Sequence, residues 1–162
     1  MSSQNSQTSH SEDYTRREFI ITREFKASRE TVFKAWTEEA EVKQWWGPRE
    51  FTNPVCQWEA KAGNPIYVVM RGPSGTDYPM GGEFHTVMAP ELLVFTSGAL
   101  DGHGRLLFEL LHTAKFAEQE GKTLVSLLSV VTKTSEGAGH FIGGFEAGMT
   151  QSLEKLEAYL SR

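Results

Sequence analysis

The chain has 162 residues, of which 39% are hydrophobic and 23% are charged, and these proportions are typical of a single globular domain. Sixteen Lys and Arg against twenty-one Asp and Glu give a net charge of −5, which argues against binding to nucleic acid or to an anionic membrane surface. No apolar run is long enough to cross a bilayer, and a single cysteine, Cys56, excludes an internal disulfide. We therefore expect a cytoplasmic protein.

The first fifteen residues differ in composition from the rest of the chain. Residues 1–15 are rich in Ser, Gln and Thr and contain one large aromatic residue, Tyr14. A segment of this kind cannot bury enough apolar surface to offset the entropy lost on ordering, and it has neither the cationic nor the apolar region of an export signal. We predict a disordered polar leader over residues 1–15 and one domain over residues 16–162.

A strand and two short helices are predicted next. Residues 17–25 mix β-branched and aromatic residues with charges, as strands do. Ser28 is a typical helix N-cap, and apolar residues follow it at helical spacing, so a short helix begins there. A second short helix is predicted over residues 38–45, where Gly47-Pro48 ends it.

The middle of the chain consists of short apolar runs separated by turn residues, such as Gly72-Pro73-Ser74-Gly75-Thr76. Each run has the length and composition of a strand. Six strands are predicted, over residues 53–58, 66–71, 82–88, 92–97, 106–116 and 123–133. Because the connections between them are short, we expect an antiparallel meander.

The C-terminal part returns to helical periodicity. Apolar residues recur every three or four positions from Phe141 to Leu160, which predicts one long amphipathic helix with Lys155 facing away from its apolar side. The glycines of residues 137–144 are predicted to begin this helix and to let its first turns pass close to the sheet. They do not form a nucleotide-binding loop, since Ile142 stands where that pattern needs glycine.

The order of these elements predicts an α+β fold. One face of an antiparallel sheet must be covered, and the C-terminal helix is the one element large enough to cover it. We therefore expect a curved antiparallel sheet, with two short helices after the first strand and one long C-terminal helix packed across the sheet.

Little in the sequence indicates catalysis or metal binding. Cys56 lies in a strand-like stretch, where a small buried side chain is favoured over a nucleophile. The five histidines show no pairing typical of metal sites, so only a site assembled in space from His85 and His112 stays open. The favoured interpretation of His112 is a hydrogen-bonded histidine in the core or at a pocket edge. We predict no catalytic residue, no metal and no cofactor.

Four motifs follow one another along the chain. They are Phe25-x-Ala27-x3-Thr31-Val32-Phe33-x-Ala35-Trp36-Thr37, Trp45-Trp46-Gly47-Pro48, Met70-Arg71-Gly72-Pro73-x-Gly75-x2-Tyr78-Pro79-Met80-x-Gly82 and Pro90-Glu91-x-Leu93-Val94-Phe95-Thr96. Together they resemble the bacterial homologues of the heat-shock protein 90 ATPase activator, over residues 18–160. That family belongs to the superfamily of START lipid-transfer domains, birch-pollen allergen relatives and polyketide cyclases. The resemblance implies a START-like helix-grip fold, and it implies that tryptophan often replaces Met149 in relatives.

Three functions are compatible with this fold, because fold alone does not determine function. The leading hypothesis is a non-catalytic domain that holds an apolar or aromatic small molecule between sheet and helix, although solid packing of the same side chains is an alternative. The second hypothesis is an interaction module that regulates a chaperone. The third is a cyclase or hydratase with His112, Glu83 or Tyr67 in its pocket. The oligomeric state is not predicted.

Candidate ligand contacts come from the large apolar side chains, of which the chain has ten Phe, four Trp and five Met. The predicted wall residues are Trp46, Met70, Phe84, Phe95, Phe145 and Met149, and His112 is a possible polar contact. Trp45 falls three residues after Val42, on the buried side of its helix, and is expected in the core. Trp46 points about 100° away around the helix, so it is the better candidate for a pocket wall or a docking surface.

Overall fold

A computed structural model of the protein describes residues 16–162. The predicted disordered leader over residues 1–15 lies outside the described residues. The elements in chain order are β1 (Glu18–Phe25), α1 (Arg29–Thr37), α2 (Glu39–Trp45), β2 (Thr52–Trp58), β3 (Pro65–Arg71), β4 (Asp77–Met88), β5 (Leu92–Ala99), β6 (Phe108–Gln119), β7 (Lys122–Thr134), α3 (Gly139–Gly143) and α4 (Phe145–Leu160).

The seven strands form one antiparallel sheet in the order β1-β7-β6-β5-β4-β3-β2. Strands β2 to β7 are therefore the predicted meander, and β1 completes the sheet by pairing with β7 along its whole length, from Glu18 opposite Val130 to Phe25 opposite Thr123. The predicted α+β helix-grip fold, with a curved antiparallel sheet and a C-terminal helix, is confirmed.

Helix α1 begins where the sequence predicts it. Ser28 has extended backbone angles of φ −66° and ψ 157°, and its hydroxyl oxygen accepts a hydrogen bond from the Thr31 N–H at 3.3 Å. Glu30 in the first turn adds a negative charge near the positive end of the helix dipole. The apolar face of α1 then carries Phe33 and Trp36 into the core.

The concave face of the sheet is packed against helix α4. One row of buried side chains on β6 shows the alternation expected of a half-buried strand, and it comprises Phe108, Leu110, His112, Ala114 and Phe116. Helix α4 buries Met149, Ser152, Leu153 and Leu156 on its own inner side. None of the helices within residues 16–162 is both long and apolar enough to cross a membrane.

Strand β4 starts earlier than predicted. It begins at Asp77 rather than at residue 82 and contains Pro79 and the Gly81-Gly82 pair, which have the local composition of a turn. Pairing on both sides holds this stretch extended, because Met80 lies opposite Val68 of β3 and Ala99 of β5. Long-range pairing therefore outweighs local preference here.

The prediction of one long C-terminal helix is wrong in its first part. The helix is broken at Gly144, which ends α3 and precedes α4, and Phe141 is exposed instead of lying on the apolar face of α4. The adjacent Gly143 and Gly144 favour the break, because glycine loses more conformational entropy in a helix than other residues do. This segment does pack on the sheet, but through the buried side chains of Ala138 and Ile142. The glycines do not make the contact, since a Cβ on Gly137 or Gly143 would meet nothing within 4 Å.

The tight glycine contacts occur within the sheet instead. A Cβ on Gly98 would lie 1.8 Å from the carbonyl oxygen of Phe108, and one on Gly82 would lie 1.9 Å from that of Thr96. No side chain fits at such distances. Gly98 also lies in the wall of the cavity described next, so these close contacts shape one side of that cavity.

Candidate ligand-binding cavity

A cavity of about 650 Å³ lies between the sheet and the C-terminal helices. Its floor is formed by strands β5 and β6, and its roof by helices α3 and α4. The segment between α2 and β2 and the hairpin of β3 and β4 together close one side, in contact through Trp46 on Met80 and Phe51 beside Tyr78. The loop after β5 also lines the cavity. Exposed Asp77 and Tyr78 lie at the rim, where the cavity meets solvent.

The two adjacent tryptophans take different positions. Trp45 is fully buried in the core, and its indole N–H donates a hydrogen bond to the Ala35 carbonyl at 3.0 Å. Trp46 is the C-cap of α2 with extended angles of φ −65° and ψ 139°, so its ring leaves the helix and enters the cavity wall. The extended backbone at Trp46 directs its ring to the cavity, while the two rings stay in contact with centroids 5.6 Å apart.

Trp46 belongs to a continuous layer of aromatic rings. Its ring centroid lies 5.1 Å from that of Trp58 and 6.3 Å from that of Phe95, within the range of favourable aromatic pairs. Its indole N–H points to the Met80 sulfur at 3.2 Å. This layer gives one side of the cavity a rigid wall, because each ring is held by the next.

Four of the seven predicted contact residues line the cavity, and they are Trp46, Met70, Phe145 and Met149. The structure places the other three beneath its surface. Phe84, Phe95 and His112 are each fully buried, and the Phe95 ring lies against the His112 ring with centroids 4.7 Å apart. They share the concave face with the lining residues but sit in the solidly packed layer that supports the cavity.

His112 is joined to two serines that the sequence analysis did not select. Its Nε2 lies 2.7 Å from the Ser97 hydroxyl oxygen, and its Nδ1 lies 2.7 Å from that of Ser129. Burial lowers the pKa of His112 to about 3, so the ring is neutral near pH 7. Ser97 lines the cavity, and a serine inside a strand gives no local signal of that position.

Lys155 holds the Trp46–Gly47–Pro48 segment against α4. Its ammonium nitrogen lies 3.1 to 3.4 Å from the carbonyl oxygens of Trp46, Gly47, Pro48 and Phe51, so its three N–H donors are shared among four acceptors. Burial lowers the pKa of this amine. The prediction that Lys155 faces away from the packed side is therefore wrong, because its long stem reaches a row of backbone oxygens.

Asn53 fixes the same segment from the other side. Its amide nitrogen donates hydrogen bonds to the carbonyls of Lys43 at 3.0 Å and of Trp46 at 2.9 Å. Gly47 has φ 96°, a left-handed conformation that favours glycine, and a Cβ there would press on the Met70 sulfur at 3.3 Å. These features together position the Trp46 side of the cavity.

The rim carries two carboxylates. Asp77 forms a bidentate ion pair with Arg71, with N–O distances of 2.7 and 3.1 Å, and this pair lowers the pKa of the carboxyl group. Asp101 accepts hydrogen bonds from the backbone N–H groups of His103 and Arg105, which lower its pKa. Both groups are negatively charged at neutral pH, and both are already engaged by residues close in sequence.

The remaining polar candidates lie outside the cavity lining. Tyr67 and Glu83 are exposed on strands β3 and β4 and do not line the cavity. His85 is also exposed, with its Nε2 4.0 Å from a Glu83 carboxylate oxygen, whereas His112 is fully buried, so the two histidines do not form a shared site. Burial raises the pKa of the Cys56 thiol to about 11, so it stays protonated at neutral pH. Within residues 16–162 no group of three or more His, Cys, Asp or Glu could hold a metal ion.

Comparisons with known proteins agree with this fold. A protein from Arthrobacter aurescens, solved by NMR, is 29% identical with a TM-score of 0.79 over 89% of this chain and 86% of that one. An AHSA1 protein from Silicibacter pomeroyi is 25% identical with a TM-score of 0.75 over 89% of this chain and 97% of that one. Protein Ms6760 from Mycobacterium smegmatis is 22% identical with a TM-score of 0.75, over 92% and 93% of the two chains. No curated protein sequence matches the chain.

The fold and its cavity define a helix-grip domain, in which a curved sheet and a C-terminal helix enclose space between them. Residues 26–161 match the family described as activator of Hsp90 ATPase homolog 1-like protein. The chain belongs to this family. The four motifs that suggested the resemblance fall within or at the border of the matched residues.

Proposed function

We propose that the protein binds an apolar or aromatic small molecule in the cavity between the sheet and helix α4. The family supports a domain of either the ligand-binding or the Hsp90 ATPase activator type. A volume of about 650 Å³ is within the range of small-molecule pockets, which are about 300–1,000 Å³ in size. Trp46, Met149 and Phe145 supply apolar walls, as such pockets require.

The observation that carries this proposal is the uneven filling of the concave face. Around Trp58, Phe84 and Phe95 the rings pack on one another with centroids 5.3 to 6.2 Å apart, and none of these three residues lines the cavity. Towards Phe145 and Met149 the same face is open. A protein that needed only a stable core would gain by filling this space, because empty apolar volume destabilises the folded state.

A binding experiment with a blocked cavity tests the proposal. We expect naphthalene and octan-1-ol to shift amide NMR signals of residues that line the cavity in the wild type. The Met149→Trp variant places a larger, stiffer side chain in the roof, and we expect it to weaken binding about tenfold or more, equivalent to about 1.4 kcal/mol.

Met88→Trp is the matched control, because Met88 is 54% exposed at the end of β4, away from the cavity. It should bind both probes as the wild type does. Silent cavity signals in the wild type would overturn the proposal, and so would equal loss of affinity in both variants.

The family description favours a second candidate, the regulation of a chaperone. It requires the purified domain to raise the ATP hydrolysis rate of Hsp90 when the two are mixed. A rate that increases with domain concentration and saturates would support this function. A rate that stays constant over the same concentrations would remove it, whatever the result of the ligand titrations.

A further inference from the structure

A line of three hydrogen-bonded side chains runs from the cavity into the sheet. His112 of β6 lies opposite Ser129 of β7, and Ser97 of β5 lies diagonally from His112, two residues beyond its direct partner Phe95. Both oxygen–nitrogen distances are 2.7 Å, and His112 and Ser129 are completely buried. Only Ser97 at one end of this line also lines the cavity.

The protonation of this line is restricted. A neutral imidazole has one N–H donor and one bare nitrogen acceptor. If Nε2 carries the proton, it donates to Ser97, and the Ser129 hydroxyl donates to Nδ1. If Nδ1 carries the proton, it donates to Ser129, and the Ser97 hydroxyl donates to Nε2. Both arrangements satisfy the two observed distances.

The two arrangements leave Ser97 with opposite properties towards the cavity. In the Nε2–H form its hydroxyl proton is free to donate to a molecule in the cavity. In the Nδ1–H form that proton is used within the line, and the Ser97 oxygen can only accept. Among the described residues the Ser97 hydroxyl has no hydrogen-bond partner other than His112, so this capacity is not used elsewhere.

We propose that Ser97 is the polar contact for an uncharged ligand with a single hydroxyl, carbonyl or N–H group, and that the tautomer of His112 sets whether Ser97 donates or accepts. This inference rests on the proposed function, because it requires a ligand in the cavity. His112 is a positioning residue, since it acts through Ser97.

The charge of the lining selects against ionic ligands. Of the described residues around the cavity, none is a lysine or arginine that could pair with an anion, and the one histidine, His140, has an exposed side chain. Asp77 and Asp101 are the carboxylates at the rim. Asp77 is already paired with Arg71 on the neighbouring strand, and Asp101 with Arg105 of its own loop. Burying an unpaired charge next to the neutral Ser97–His112–Ser129 line carries a large desolvation penalty.

The test uses four probes that share one fused six–five ring skeleton. Indene has no polar hydrogen-bonding group, indole only donates, 1-indanone only accepts, and indane-1-carboxylate is an anion. We expect the wild type to bind indole and 1-indanone roughly three to ten times more tightly than indene, as one neutral hydrogen bond allows. Indane-1-carboxylate should bind at least about ten times more weakly than indene.

Ser97→Ala should bind indole and 1-indanone no better than it binds indene. Ser126→Ala is the control, because Ser126 is on β7 but outside the cavity lining, and it should keep the preference. Ser152→Ala tests the competing contact, since Ser152 lines the roof and donates to the Gly148 carbonyl at 3.0 Å. Loss of the preference in Ser152→Ala instead of Ser97→Ala would overturn the proposal.

A second readout needs no variant. The ¹⁵N chemical shifts of the His112 ring should report the Nε2–H form with 1-indanone and the Nδ1–H form with indole. The same tautomer with both probes would overturn the role of His112. If indene binds and the polar probes gain nothing, this inference fails while the proposed function stands. If none of the four probes binds, both fail.

Discussion

The Gly98→Ala variant should be less stable than the wild type by about 3 kcal/mol or more, the upper range of overpacking in a protein core. The added Cβ would lie 1.8 Å from the Phe108 carbonyl oxygen and 3.0 Å from a methyl group of Leu106. Strands β5 and β6 would have to separate at this point. The midpoint of urea unfolding, at unchanged m-value, measures the loss.

Gly102→Ala is the matched control, because it makes the same substitution four residues later in open space, with nothing within 4 Å of the new atom. Its stability should stay within about 0.5 kcal/mol of the wild type. Gly98→Ala as stable as Gly102→Ala would show that β5 and β6 can part at no cost, contrary to the geometry described above.

Acidification from pH 7 to pH 5 should destabilise the protein by about 2 kcal/mol through His112 alone. The unfolded chain binds this proton with the ordinary pKa of 6.5, whereas burial in the folded state lowers the pKa to about 3. Between these two values the unfolded state binds more protons, so stability is full above pH 6.5 and is lost as the pH falls towards 3.

Chemical denaturation of the wild type and of His112→Gln at pH 7 and pH 5 measures this effect. Glutamine can still donate to one serine and accept from the other, but it does not titrate. The difference in stability between the two pH values should therefore be about 2 kcal/mol smaller in the variant. The interval from pH 5 to pH 7 lies above the range in which Asp77 and Asp101 bind protons, since the pKa of each carboxyl group is lowered. Equal pH dependence of the two proteins would contradict the prediction.

The elements that could be predicted from the sequence are those with local signals. The N-cap at Ser28 and the turn of residues 72–76 were predicted correctly, because capping and turn formation depend on adjacent residues. The start of β4 and the break at Gly144 were not. The start of β4 is held extended by pairing with strands distant in sequence. The break at Gly144 has no local signal, because the helical spacing of Phe141 and Phe145 continues across it.

The candidate site divides in the same way. Alternation along a strand predicts which side chains face inwards, and Phe84, Phe95 and His112 do face inwards. Alternation does not predict how far a side chain lies beneath the cavity surface, so it could not distinguish these three residues from lining residues such as Met149. Ser97 could not be predicted from the sequence, because its role depends on a histidine fifteen residues away on the next strand.

The cluster of carbonyl oxygens around Lys155 bears on how fast a ligand could enter and leave the cavity. It resembles the oxygen cage of a bound cation, but the cation here is covalently part of helix α4. Lys155 therefore joins the Trp46 side of the cavity directly to the helical roof. The rim at Asp77 and Asp101 is held by hydrogen bonds between residues close in sequence, from Arg71 to Asp77 and from the His103 N–H to Asp101. For a ligand bound as proposed, we expect entry and exit past that rim, so that substitutions at Asp77 and Asp101 alter residence time more than equilibrium affinity.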